Sequence, residues 1–99
     1  MFEKIRDRMS EKIRDLEYVM TVHAEEEMEN DSLSIYDIEN AILTGNIIER
    51  QQDHETEEWK YLIAGKTIDE TDIIVVVKLS VAKKLVIITV FIEEATYEN

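Results

Sequence analysis

Between Asp72 and Glu94 the chain reads DIIVVVKLSVAKKLVIITVFIEE, two runs dense in β-branched residues around the short polar segment Ser80–Lys84. Such runs are strands, and the segment between them is a hairpin turn. The hairpin is the centre of a sheet. Strict alternation puts Ile73, Val75, Val77 and Leu79 on one face with Val86, Ile88, Val90 and Ile92. That face is apolar throughout and requires a cover. The other carries Ile74, Val76 and Lys78 beside Leu85, Ile87, Thr89 and Phe91. It is apolar but interrupted by a cation and a hydroxyl, which suits a surface that meets a partner or holds a site.

Upstream the period changes. Phe2, Ile5, Met9, Ile13 and Leu16 recur at steps of three or four, which predicts an amphipathic helix from Phe2 to about Tyr18. Thr21 caps a short second helix ending near Asn30, with Glu25 and Glu26 in its first turn and Met28 as its buried anchor. Ser34 with Asp37 forms a capping box for a third helix, whose stripe is Ile35, Ile38, Ala41 and Ile42 and whose stop is Gly45. Ile47–Glu49 reads as a short strand, Gln51–Glu58 as a polar acidic loop, and Trp59–Ala64 as a strand closed by Gly65 and the Lys66–Glu70 turn. The expected fold is α+β, with two or three N-terminal helices packed on a four-stranded antiparallel sheet. Residues 1–17 form an extension helix, which docks on the sheet or on a second subunit. Residues 18–99 form the domain.

Composition narrows the function. Ninety-nine residues make one domain. Lys83 and Lys84 break the longest apolar region, so no run approaches the roughly 20 residues of a membrane span. The amino terminus has no secretion signal, so the expected location is cytoplasmic. The absence of cysteine excludes disulfides, thiolate zinc sites and a cysteine nucleophile. A net charge of −12 repels the nucleic acid backbone, so contact with RNA needs a strong local basic patch. The same charge suits a high-salt cytoplasm or a basic protein partner.

Five stretches, in order, resemble a known family: His23–Ala24 followed by Met28; Ser34-Ile-Tyr-Asp-Ile-Glu-Asn-Ala-Ile; Gly45-Asn-Ile-Ile-Glu; Lys60-Tyr-Leu-Ile-x-Gly65; and Ile87-Ile-Thr-Val-Phe91. From about Tyr18 to Glu93 the chain looks like the small proteins of the domain of unknown function 4258 family, which share the RelE/ParE-like toxin fold. The resemblance implies a toxin of a toxin–antitoxin system, an endoribonuclease that cleaves RNA and is held inactive by a small antitoxin, often of zinc-ribbon type. By position, the family's histidine falls on His23, its basic residue entering the middle strand on Lys60, and its terminal strand hydroxyl on Thr89. The family writes its histidine helix roughly as HAxxRMxxRGI. Here the arginine places hold Glu27 and Asp31, serine at 32 replaces glycine, and Phe91 stands where the closing strand commonly has tyrosine. RNA cleavage needs a base, an acid and cations for the phosphate, and this chain has lost candidates for the last two.

The candidate catalytic set is His23 as base, Lys60 and Lys78 for phosphate, and Thr89. Each residue has a structural alternative: His23 as a packing residue, the lysines solvating an exposed face, and Lys78 and Thr89 at the rim of a face covered by loops or a second subunit. His23, Glu27 and His54 lack metal-ligand spacing, and neither a metal nor a cofactor is expected. Trp59 and Tyr61 share a face, fit to stack on a base or to sit in a core or interface. Two functions follow: a RelE-like ribonuclease toxin with weakened or lost catalysis, or a non-catalytic module of the same fold that binds a small partner or pairs with itself as a homodimer.

Overall fold

The computed structural model describes residues 1–93; Glu94, which closes the hairpin stretch, and the rest of the expected domain to 99 lie outside the described residues. Three helices, α1 (Glu3–Arg14), α2 (Val22–Asn30) and α3 (Ile35–Thr44), accompany five strands. The strands are β1 (Tyr18–Met20), β2 (Asn46–Gln52), β3 (Trp59–Lys66), β4 (Asp72–Leu79) and β5 (Leu85–Ile92). The sheet order is β1-β5-β4-β3-β2, so the hairpin is central as expected. The expectation of four antiparallel strands is corrected to a five-stranded mixed sheet, because β1 pairs parallel to β5. Three residues following a helix offer no period from which a strand can be read.

The helices lie on one face. Met9, Ile13, Ala24, Ile38, Ala41 and Ile42 share a core with Tyr61, Ile63, Ile73, Val75, Val77, Leu85, Ile87 and Val90. Strict alternation fails in β5: Val76 pairs with Thr89 but Val77 with Ile87, leaving Ile88 as an unpaired bulge residue. A bulge shifts the pleat by one position. Leu85 and Ile87 thereby reach the helix side, and Val86 moves to the open face, reversing the expected assignment. A second register shift, between Ile47 and Glu49, allows β2 to run on to Gln52. In α2 the buried anchor is Ala24, while Met28 is only partly buried.

Two glycines set the helix–sheet distance. A Cβ on Gly65 would lie 2.2 Å from the Ala41 carbonyl oxygen, and one on Gly45 would lie 2.5 Å from the carbonyl oxygens of Ala41 and Ala64. Gly65 therefore lies within β3, rather than ending it, because α3 rests on its backbone. The Ser34–Asp37 capping box is present. Arg6 of α1 donates Nε to the Gly45 carbonyl (2.7 Å) and Nη2 to that of Leu43 (3.3 Å), satisfying the open end of α3.

Two helices end on left-handed residues that are not glycine. Ser32 (φ 57°) follows α2: its N–H reaches the Glu29 carbonyl, and the N–H of Leu33 reaches that of Met28. These are the paired bonds of a Schellman motif, whose left-handed position glycine fills at the least cost. Leu16 (φ 58°) repeats the motif after α1, with Leu16 N–H to Ile13 and Glu17 N–H to Lys12. Helix α1 therefore stops at Arg14, short of the expected Tyr18, and Leu16 leaves the apolar stripe to stand 71% exposed.

Gly65→Ala should destabilise the fold by about 3 kcal/mol, since a methyl group would enter the Ala41 backbone. Ser32→Gly should stabilise it by about 1 kcal/mol through relief of the left-handed penalty. Urea unfolding of both variants checks the pair, and a neutral Gly65→Ala would show that α3 does not rest on β3.

Candidate functional site

The face without helices carries the expected lysines. One step beyond the Tyr61–Val77 pair, Lys60 and Lys78 come together on adjacent strands. A shallow depression of about 260 Å³ joins them, lined by Thr21, Asp53, Glu58, Lys60, Lys78, Val86 and Ile88. Of the four candidate catalytic residues, it holds two. Thr89 pairs with Val76 further along the same sheet. His23 is exposed in the first turn of α2 and does not line the depression.

Both lysines are half-buried. Between β2 and β3 the chain turns over them through the loop 53–58, and Glu58 Oε1 accepts from Lys78 Nζ at 2.7 Å. The two side chains are 30% and 32% exposed, so this pair is better shielded than an ordinary surface bridge. Asp53 Oδ1 accepts the N–H groups of Glu55 (2.8 Å) and Thr56 (3.2 Å), which shapes the turn. Those bonds, the Glu55 N–H first, lower the Asp53 pKa, and the positive charges of Lys60 and Lys78 add to the effect. A depressed carboxylate pKa contributes stability above the ordinary value of 3.8, and that contribution is lost as pH falls through the folded-state value. Glu58 is thus ion-paired with Lys78, while Asp53 acts on both lysines through the longer-range attraction of opposite charges.

Thr21 ties this region to the helices. Its Oγ1 accepts the Ala24 N–H (3.0 Å) as the cap of α2 and donates to the carbonyl of the bulge residue Ile88 (2.8 Å). Its N–H donates to the Ile87 carbonyl. The cap was legible in the sequence; the bulge it satisfies was not, since nothing in an unbroken apolar run marks one residue as unpaired.

Around the depression the open face is apolar. Val19 (43% exposed) pairs with Val86, and Phe91 (42% exposed) pairs with Ile74. Among the described residues no helix lies over this surface. Trp59 and Tyr61 do share a face, but it is the helix face. Tyr61 is buried edge-on to Phe2 (6.1 Å between centroids), and the Arg50 guanidinium lies 4.1 Å above the Trp59 ring. Tyr61 is therefore not presented for stacking on a base, whereas Trp59 stays 39% exposed. No cluster of metal-ligating side chains is found among the described residues. No helix there is long and apolar enough to cross a membrane.

The domain of unknown function DUF4258 matches the chain over residues 20–92. The chain belongs to that family, with α1 outside the matched segment. Comparison with curated proteins returned no match, and comparison with solved structures returned none.

Thr21→Val should cost about 1–2 kcal/mol, since it removes a helix cap and leaves the bulge carbonyl unpartnered. Glu58→Gln should cost less than about 1 kcal/mol, as expected for a partly exposed pair. Chemical denaturation of both variants checks this order; a larger loss for Glu58→Gln would make the lysine cover, rather than the threonine bond, the support of this face.

Proposed function

We propose that this DUF4258 member keeps a RelE/ParE-like toxin fold but works, in the cytoplasm, as a non-catalytic protein-binding module whose contact surface is the open sheet face. The observation that carries the reading is the ion pair of Lys78 with Glu58, with the Asp53 carboxylate lining the same depression as both lysines. Phosphoryl chemistry on RNA needs uncompensated cations where charge develops, and here the chain supplies its own anions to them. Glu27 and Asp31 at the arginine positions, and Phe91 at the tyrosine position, remove further candidates for the phosphate charge and for the acid. The apolar, helix-free surface of Val19, Val86, Ile88 and Phe91 has the composition of an interface.

A second reading, an active endoribonuclease toxin held by a zinc-ribbon antitoxin, is favoured by one observation. Thr21 lines the lysine depression and caps the helix on which His23 stands two residues later. In that reading His23 is the base, Lys60 and Lys78 hold phosphate, and Thr89 lies at the edge of the site.

Induced expression of the wild type, with the purified protein incubated with RNA, separates the two readings. The binding-module reading predicts unimpaired growth and intact RNA. Growth arrest or RNA cleavage, lost in His23→Ala or Lys60→Ala, would establish the toxin instead.

A further inference from the structure

We propose that α1 is an exchangeable arm, and that two copies of this chain dimerise by trading it, with Asp15–Glu17 as the hinge. This goes beyond the functional reading above and does not depend on it. Four observations converge on the arm. It lies outside the segment, residues 20–92, that carries the family domain. It is nonetheless seated in that domain's core, with Met9 and Ile13 buried and Arg6 bonded to the carbonyls of Leu43 and Gly45. Those contacts are the same whether the arm comes from its own chain or from a second copy.

The charges favour the seat in either case. Residues 1–14 hold five Lys or Arg against three Asp or Glu, which leaves six against twenty for the remainder. From Asp15 to Glu49 the chain has ten carboxylates and no Lys or Arg. A cationic helix is drawn to an anionic body, and that attraction offsets part of the repulsion between two acidic chains.

The hinge is where local preference and the folded structure disagree. The apolar period runs on through Leu16, and neither Gly nor Pro stands at Asp15–Glu17 to stop the helix. Leu and Glu are strong helix formers, yet the closed chain holds Leu16 at φ 58° and leaves its side chain 71% exposed. Opening the hinge releases that conformation in both copies and allows the helix to continue. All core contacts are regained across the dimer, so the released hinge strain is the net gain set against association.

Multi-angle light scattering of the full chain up to about 1 mM, the effective concentration a short linker imposes on the closed form, tests the proposal. A reversible dimer is expected for the wild type. Leu16→Gly, which accepts the left-handed conformation, should weaken it at least about tenfold. Leu16→Ala keeps the backbone penalty and should dimerise as the wild type does. In a mixed dimer of isotope-labelled and unlabelled chains, contacts of the Met9 methyl with the core must be intermolecular. A wild type that stays monomeric throughout overturns the exchange. So does a dimer that Leu16→Gly leaves intact, one that Leu16→Ala abolishes by removing a side-chain contact, or one whose Met9 contacts stay within a chain.

Discussion

The backbone of α3 rests directly on the backbone of β3, and most of the architecture depends on that contact. With no side chain at Gly65, Ala41 approaches the strand closely enough for Ile38 and Ile42 to enter the layer formed by Ile63, Val75 and Val77. Gly45 permits the chain to leave α3 and enter β2 within the same narrow space. Arg6 then closes the end of α3 and fixes α1 beside it. All three helices are thereby committed to one side, and the candidate residues Lys60, Lys78 and Thr89 are left on the other.

On that other side, two irregularities matter more than the regular strands. The bulge at Ile88 turns Val86 onto the open face and presents a carbonyl that Thr21 satisfies while capping α2. The turn after β2 places Asp53 and Glu58 over the lysine pair. A phosphate-binding site and a charge-compensated depression would use the same lysines; the carboxylates beside them make the difference. Glu27 on α2 and Asp31 at its C-cap add further negative charge on the helix side.

Much of this could be read from the sequence, for physical reasons that also mark where it could not. The capping box at Ser34, the Thr21 cap and the Ser80–Lys84 turn depend on neighbours a few residues apart, and those were legible. Strand β1 owes its existence to a parallel pairing with β5 almost seventy residues away, and nothing local announces it. The Ile88 bulge is hidden because every residue around it is apolar or β-branched, so either face assignment satisfies the pattern. The end of α1 is not legible because Leu16 is a helix former held in a left-handed turn by backbone bonds where the chain enters β1. Of the site, the lysines were visible as residues, but the acids that cover them looked like an ordinary solvated loop.

The central claim, that the carboxylates beside Lys60 and Lys78 keep these lysines from binding phosphate, is tested most directly by titrating single-stranded RNA into the wild type and into the Asp53→Asn, Glu58→Gln double variant at several salt concentrations. Asn retains the oxygen that accepts from Glu55 and Thr56, and Gln retains a group that accepts from Lys78, so the turn is kept while the charge is removed. The account predicts no measurable binding by the wild type. In the double variant it predicts binding whose logarithm falls with the logarithm of salt at a slope of about −1.4, as expected for two phosphate contacts. Salt-dependent binding of equal strength in both proteins would show that the lysines are already available to RNA and would contradict it.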